Sequence, residues 1–115
     1  MFWKKKKEYK HNFFNYEVKS VVFPDNTIVQ AQWKRTINIC LTCHSTGVRS
    51  GTFKCGKYYC YNCNTCVEAV TIEYYFDANK DLTFVTKVNG YDLPRDRGFK
   101  TKEELIKFIL WFLEN

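Results

Sequence analysis

The chain has 115 residues, of which 45% are hydrophobic and 18% aromatic, and its formal net charge is +6. This length suits one compact domain with a core of its own, and the apolar content supports folding. The longest apolar run, Phe108 to Leu113, is far below the roughly 18 residues that cross a bilayer, which excludes a membrane-spanning helix. We therefore expect a soluble protein.

The N-terminal ten residues carry five lysines and one glutamate. We interpret residues 1–12 as a basic, flexible arm, and residues 13–115 as a single α+β domain with a cysteine-rich segment, the finger, at about residues 40–70. No apolar stretch follows the lysines, as a secretory signal peptide would require. The expected location is cytoplasmic, in a reducing compartment.

Two β-hairpins are predicted to flank the finger. In the first, a β-branched and aromatic run over Tyr16 to Phe23 is followed by a turn at Pro24 to Asn26 and by an alternating strand over Thr27 to Ile39. The second hairpin joins Thr71 to Phe76 with Leu82 to Val88 across a polar turn.

The finger itself is indicated by two Cys-x-x-Cys motifs: a first cysteine pair, Cys40 and Cys43, and a second cysteine pair, Cys60 and Cys63. Each motif can wrap a turn so that both sulfurs face one point, and two such turns supply the four thiolates that tetrahedral zinc prefers. Four protein ligands leave no open coordination position. The sequence therefore predicts one structural Zn²⁺ rather than a catalytic ion.

This spacing resembles that of the treble-clef zinc fingers, the family that includes RING and FYVE modules. The resemblance implies that the first cysteine pair forms a knuckle, that a hairpin follows, and that the second pair lies at the start of a short helix. RING fingers carry a histidine where this chain has Lys57, two residues after Cys55, and no further Cys-x-x-Cys follows Cys66. The resemblance therefore implies one zinc site, without the ubiquitin-ligase activity of complete RING fingers.

Cys55, Cys66 and His44 are the remaining candidates near the finger. Three interpretations stay open for the two cysteines: they replace a member of the zinc quartet, they are buried thiols, or they pair as a disulfide, which a reducing compartment disfavours. His44 completes a Cys-x-x-Cys-His motif, the attachment pattern of c-type haem. Haem attachment requires export and would leave four cysteines unexplained. We therefore interpret His44 as a neighbour of the knuckle or as a substitute zinc ligand.

A C-terminal amphipathic helix is predicted from about Lys102 to Leu113, because Thr101 and Glu104 form a capping box just before an apolar run. Its core stripe at helical spacing consists of Leu105, Phe108, Ile109 and Phe112. Trp111 lies on the otherwise polar side. Either the sheet wraps this helix, or Trp111 binds a partner.

The charge distribution is the best sequence clue to function, because residues 26–67 contain five basic residues and no acidic one. Basic groups on a rigid module favour a polyanion, and interleaved aromatic side chains are typical of surfaces that stack unpaired bases. The candidate nucleic-acid-binding residues are Lys34, Arg35, Arg49, Lys54, Lys57, Tyr58 and Tyr61.

These observations predict a non-enzymatic zinc protein that binds nucleic acid or a nucleoprotein complex through the finger. The alternative is a zinc-stabilised adaptor or inhibitor that binds a protein through the C-terminal helix and the aromatic face. An enzyme is the least favoured class, because no nucleophile–base pair and no phosphate-binding glycine loop is found in the sequence. No small-molecule substrate and no membrane partner is indicated.

Overall fold

The computed structural model describes residues 12–14, 19–31, 33–50 and 57–115. The basic arm predicted at residues 1–12 lies outside these ranges apart from its last residue, and so do Lys54 and Cys55. The elements in chain order are β1 (Lys19–Val22), β2 (Ile28–Ala31), β3 (Arg35–Cys40), β4 (Val48–Ser50), β5 (Tyr58–Cys60), β6 (Thr65–Val67), β7 (Ala69–Asp77), β8 (Leu82–Val88), β9 (Tyr91–Phe99) and α1 (Lys102–Glu114).

The strands of the described ranges form three antiparallel sheets, which with the C-terminal helix make an α+β fold. β1 and β2 form a hairpin, and β3-β7-β8-β9 form a four-stranded sheet, the central sheet. β4-β5-β6 form a third sheet, and together with the two turns that carry the cysteine pairs it is the finger module. β3 enters the finger module directly, because the strand ends at Cys40.

The main hydrophobic core lies between one face of the central sheet and α1. Along β7 every second side chain is buried, as expected for a strand with one face in the core. The eleven buried members of this core are Ile39, Val70, Ile72, Tyr74, Val85, Val88, Phe99, Leu105, Ile106, Phe108 and Ile109. Phe13 and Phe14 pack against the same core.

Helix α1 begins where its capping box predicts. The backbone N–H of Glu104 donates to Thr101 Oγ1 at 3.2 Å, and the Glu104 carboxylate accepts from the backbone N–H of Lys100 at 3.3 Å. The first bond satisfies an amide that a helix start leaves without a partner, and the second ties the Glu104 carboxylate to the residue before the N-cap. In the described part of the chain no helix is both long and apolar enough to cross a membrane.

The predicted hairpins are confirmed in one case and corrected in the other. The second hairpin is present as β7 and β8. The strand predicted over Thr27 to Ile39 is divided: β2 pairs with β1, whereas β3 pairs with β7, which places Ile39 opposite Val70. The physical reason is burial in the tertiary structure. Ile39 is fully buried in the core of the central sheet, and β3 reaches that core by pairing with β7.

Strand β9 was not predicted, although the sequence contains a signal for it. The two-residue loop Asn89-Gly90 joins β8 to β9, and both residues have positive φ, 50° and 81°. Asn-Gly is the preferred pair for such a turn. Pro94 and Gly98 are residues that argue against a strand in the sequence. Proline is nevertheless tolerated at a sheet edge, and glycine is needed at position 98 because a Cβ there would lie 2.9 Å from the Phe84 ring.

Candidate metal centre

The two cysteine pairs lie on two turns of closely similar geometry. In the first, the backbone N–H of His44 donates to the carbonyl of Cys40 at 2.9 Å. In the second, the N–H of Asn64 donates to the carbonyl of Cys60 at 2.8 Å. His44 and Asn64 both adopt the left-handed region, with φ of 63° and 56°. Histidine and asparagine are among the non-glycine residues most often found there, so each motif ends with a residue that suits its turn.

The turns bring the four sulfurs of the two pairs together. All four Sγ atoms lie within 4.8 Å of one another. The distances between pairs are 3.8 Å from Cys40 to Cys63 and 3.5 Å from Cys43 to Cys60. A tetrahedron with metal–sulfur bonds of about 2.3 Å has edges of about 3.8 Å. The donor set and its dimensions therefore fit a four-coordinate metal ion.

Polar groups surround these sulfurs. The backbone N–H groups of Thr42 and Cys43 point to Cys40 Sγ at 3.4 and 3.5 Å, and the N–H of Cys63 points to Cys60 Sγ at 3.3 Å. The hydroxyl of Ser45 lies 3.2 Å from Cys43 Sγ and 3.5 Å from Cys60 Sγ. Outer groups of this kind orient the ligands and stabilise the thiolate form.

The pKa values of the cysteines follow from this environment. Hydrogen bonds with Ser45, then with Asn62, lower the pKa of Cys43 to about 5. The hydrogen bond with Cys43, followed by burial and by the other sulfurs, raises the pKa of Cys63 to about 12. The Cys43 thiolate thus forms readily, whereas the Cys63 thiolate requires a cation among the sulfurs to offset its negative charge.

The core of the finger module is small. Its buried residues are Cys40, Val48 and Cys60, and several half-buried side chains pack against them. Two of these three core residues are members of the sulfur cluster, so the hydrophobic core and the candidate metal centre coincide. A core of this size contributes little burial, and such modules commonly depend on a metal for folding.

The helix that the treble-clef resemblance implies at the second cysteine pair is not found there. Residues 61–64 form a turn and β6 follows immediately, so this pair lies on a hairpin. β5 pairs with both neighbours, Val48 opposite Cys60 on one side and Cys60 opposite Thr65 on the other. The ladder therefore continues through the segment where a helix would begin.

The substitute ligands are placed differently from the quartet. His44 is next to the first pair but outside the cluster, where its backbone closes the turn. Cys66 is disulfide-bonded, so it has no free thiolate to offer a metal, and its assignment as a substitute ligand or free buried thiol is wrong. The disulfide interpretation, which sequence reasoning disfavoured, holds for Cys66. Cys55 lies outside the described residues.

The predicted nucleic-acid-binding residues lie at several separate places in the structure. Arg49 and Tyr61 come together on the finger module, with the guanidinium 5.9 Å from the ring centroid. Tyr58 is half-buried and its hydroxyl lies 3.5 Å from Thr71 Oγ1, so it joins the finger to the central sheet. Lys57 is exposed at the start of β5.

Lys34 and Arg35 lie at the opposite end of β3 from the cysteines. Arg35 begins this six-residue strand and Cys40 ends it, so at roughly 3.4 Å per residue they lie about 17 Å apart. Sequence proximity had grouped them with the finger, but the extended strand separates them. Lys54 lies outside the described residues.

Tyr59 is an addition to the predicted set. Its ring lies 5.3 Å from that of Tyr61 in an edge-to-face arrangement, and its hydroxyl donates to Asn64 Oδ1 at 2.6 Å. Because β5 pairs Tyr59 with Arg49, the strand register places the arginine beside both rings. We call Arg49, Tyr59 and Tyr61 the aromatic–arginine patch.

No protein-family model, no curated protein and no solved structure matches the chain. The likeness to treble-clef fingers therefore depends on the spacing of the cysteines alone.

Proposed function

We propose that this is a non-enzymatic zinc-binding protein whose finger module binds single-stranded nucleic acid, free or within a nucleoprotein complex. One structural Zn²⁺ is held by Cys40, Cys43, Cys60 and Cys63, a donor set that suits zinc because thiolates are soft ligands. The ion fixes the two turns, and β4 and β5 between them present the aromatic–arginine patch.

The observation that carries this proposal is the geometry of that patch. Tyr61 is 53% exposed, and Arg49 is exposed above its ring. A tyrosine with one arginine beside it offers a surface for a base and a cation for the adjoining phosphate, without reading sequence. Tyr59 supports the ring of Tyr61 from the side, which fixes its orientation before binding.

The charge of the metal centre reduces this attraction without reversing it. Four thiolates around Zn²⁺ have a formal charge of −2, against the three bases of residues 40–67, Arg49, Lys54 and Lys57. The finger module therefore remains positive, at about +1. Binding through so few cations should be moderate in affinity and strongly dependent on salt.

The test is fluorescence anisotropy with a labelled oligothymidine and the zinc-loaded protein over a range of salt concentrations. We expect Arg49→Glu to weaken binding and to reduce the salt slope by about one, and Tyr61→Ala to cost about 1–3 kcal/mol. The matched control is Lys107→Glu, which changes an exposed base of α1 by the same charge. Lack of binding with protein on the order of tens of micromolar at low salt would disprove the proposal, as would an equal loss in the control.

Protein binding through α1 is the second candidate function, and one observation favours it. Trp111 is 57% exposed, so the helix presents a large aromatic side chain that the core does not cover. An exposed tryptophan contributes little to folding but much to an interface. We expect Trp111→Glu to leave the thermal unfolding midpoint nearly unchanged; a large decrease would assign Trp111 to the core instead.

A further inference from the structure

A cavity of about 460 Å³ lies between the edge strand β9 and helix α1. It is lined by Leu93, Arg95 and Arg97 of the strand and by Phe108, Trp111 and Phe112 of the helix. We call it the β9–α1 groove. Its volume is in the range of natural binding sites, and its walls are aromatic and aliphatic apart from the two guanidinium groups and Asn115 at the end of the helix.

The arginines line the groove because of the alternation of β9. Leu93 and Phe99 pack into the main core, and Arg95 and Arg97 lie between them on the same face of the strand. Asp96 belongs to the opposite face, where its carboxylate accepts a hydrogen bond from the Tyr75 hydroxyl at 3.1 Å. The positive charges of Arg95 and Arg97 therefore occupy strand positions that face the aromatic side chains of α1.

These charges have no carboxylate partner in the ranges that the structure describes. The Arg97 guanidinium lies 4.8 Å from the centroid of the Phe108 ring, at the wall of the groove. The other nearby carboxylate of β9, Asp92, is 3.7 Å from Lys87 Nζ. Arginine is the residue best suited to bind a carboxylate with two parallel hydrogen bonds, and both groups are available to do so.

We propose that the β9–α1 groove binds an acidic peptide segment of a partner protein that carries an apolar side chain next to its carboxylates. The apolar side chain fills the cavity against Trp111 and Phe112, and the carboxylates bind Arg95 and Arg97. An aromatic anchor surrounded by arginine is the composition of interface hot spots. This inference gives the chemistry of the partner for the second candidate function and depends on it.

Charge favours a peptide over nucleic acid at this groove. Helix α1 carries three acidic residues, Glu103, Glu104 and Glu114, against two basic ones, Lys102 and Lys107, and it has no basic residue in its last turn. A phosphodiester chain that crossed the helix would meet these negative charges. A short acidic segment needs only the two arginines and the cavity.

The experiment is selection of a phage-displayed library of random peptides, about twelve residues long, on the zinc-loaded protein. We expect the enriched peptides to combine aspartate or glutamate with a leucine or an aromatic residue. Synthetic copies of the enriched peptides, labelled with fluorescein, then provide the affinities. Copies in which glutamine replaces glutamate, and asparagine replaces aspartate, test the role of charge.

Variants locate the binding site. We expect Arg95→Glu and Trp111→Ala each to weaken peptide binding by about tenfold or more. The matched control is Leu110→Ala, an exposed apolar residue of the same helix outside the groove, which should leave affinity unchanged. Arg97→Gln is a milder second variant, because Arg97 also packs on Phe108. Arg49→Glu should impair oligothymidine binding only.

Three outcomes would overturn the inference. If enriched peptides show no acidic preference, protein binding through α1 stands but the assigned partner chemistry is wrong. If Trp111→Ala has no more effect than Leu110→Ala, or if no peptide is enriched, both the groove and the second candidate function fail. If Arg95→Glu weakens oligothymidine and not peptide, the groove belongs to the nucleic-acid surface.

Discussion

The finger module and the layer formed by the central sheet and α1 are stabilised by different means. Each strand of the finger module has three residues, and its buried core consists of two cysteines and a valine. The strands of the central sheet have six to nine residues, and eleven buried side chains pack between this sheet and the helix. Where the chain lacks apolar area to bury, four sulfurs converge instead. We therefore expect the small module to depend on a metal, whereas the larger layer depends on packing.

Removing one metal ligand is expected to give the largest effect and to separate the two regions. Cys60→Ser should lose bound zinc and unfold the finger module, because metal binding and folding are coupled in such sites. Amide hydrogen exchange should then show lost protection over residues 47–67 and retained protection in β7, β8 and α1. Elemental analysis measures the zinc.

The matched control for this change is Thr42→Ser, which introduces the same residue at an exposed position of the first turn. It should keep its zinc. Loss of protection throughout β7, β8 and α1 in Cys60→Ser would show that the two regions unfold together. They would then not be stabilised by different means.

A cavity created in the main core should destabilise the layer of the central sheet and α1 and leave zinc binding by the finger module intact. Leu105 is fully buried, so Leu105→Ala is expected to lower the free energy of unfolding by about 2–5 kcal/mol while zinc stoichiometry stays unchanged. Urea unfolding followed by the helical circular dichroism signal measures the effect. Leu110→Ala, on the exposed side of the same helix, should cost about 0.5 kcal/mol or less. Equal losses in both variants would contradict the assignment of the core to this face.

A smaller effect is expected from the outer groups of the metal centre. Ser45→Ala removes the hydroxyl that contacts Cys43 and Cys60, and it should weaken zinc binding by about tenfold to a hundredfold without unfolding the module. Competition with a chromophoric chelator measures the affinity. Ser50→Ala, at an exposed position of β4, is the control. An unchanged affinity would show that the hydroxyl does not stabilise the thiolates.

The smallest expected effect is on the thermal unfolding midpoint at alkaline pH, and it concerns only the central sheet. Burial, followed by the hydrogen bond with Asp96, raises the pKa of Tyr75 to about 12. A raised pKa favours the neutral phenol in the folded state, so this contribution is complete below the unfolded pKa of about 10 and is lost as pH rises toward 12. Tyr75→Phe should therefore flatten the decrease in thermal midpoint above about pH 10, although Tyr74, whose pKa burial also raises, retains part of it. A decrease as steep as that of the parent protein would contradict this role for Tyr75.

Local patterns predicted much of the fold. The capping box located α1, alternation located β7 and β8, and the two Cys-x-x-Cys motifs identified the four sulfurs that converge. Each of these signals acts within a few residues, through a hydrogen bond, a strand period or a turn. The Asn89-Gly90 loop belongs to the same class and could have identified β9.

Other features could not be predicted, because they depend on residues far apart in the chain. The second cysteine pair follows β5, whose pairing with β4 and β6 replaces the helix that the motif implies. Cys66 had three interpretations because the sequence does not specify which thiols meet. Arg35 was predicted to belong to the finger because it is close to the cysteines in sequence, but the length of β3 separates it from them in space.

The sequence alone determined which four cysteines converge and where the amphipathic helix lies, since cysteine spacing and helical periodicity are local properties. Only the tertiary structure decided that Arg95 and Arg97 line a groove with Trp111, and that Arg49 lies beside Tyr61. The physical reason is that strand pairing sets which side chains share a face, and pairing partners are chosen by burial of the whole sheet rather than by neighbouring residues.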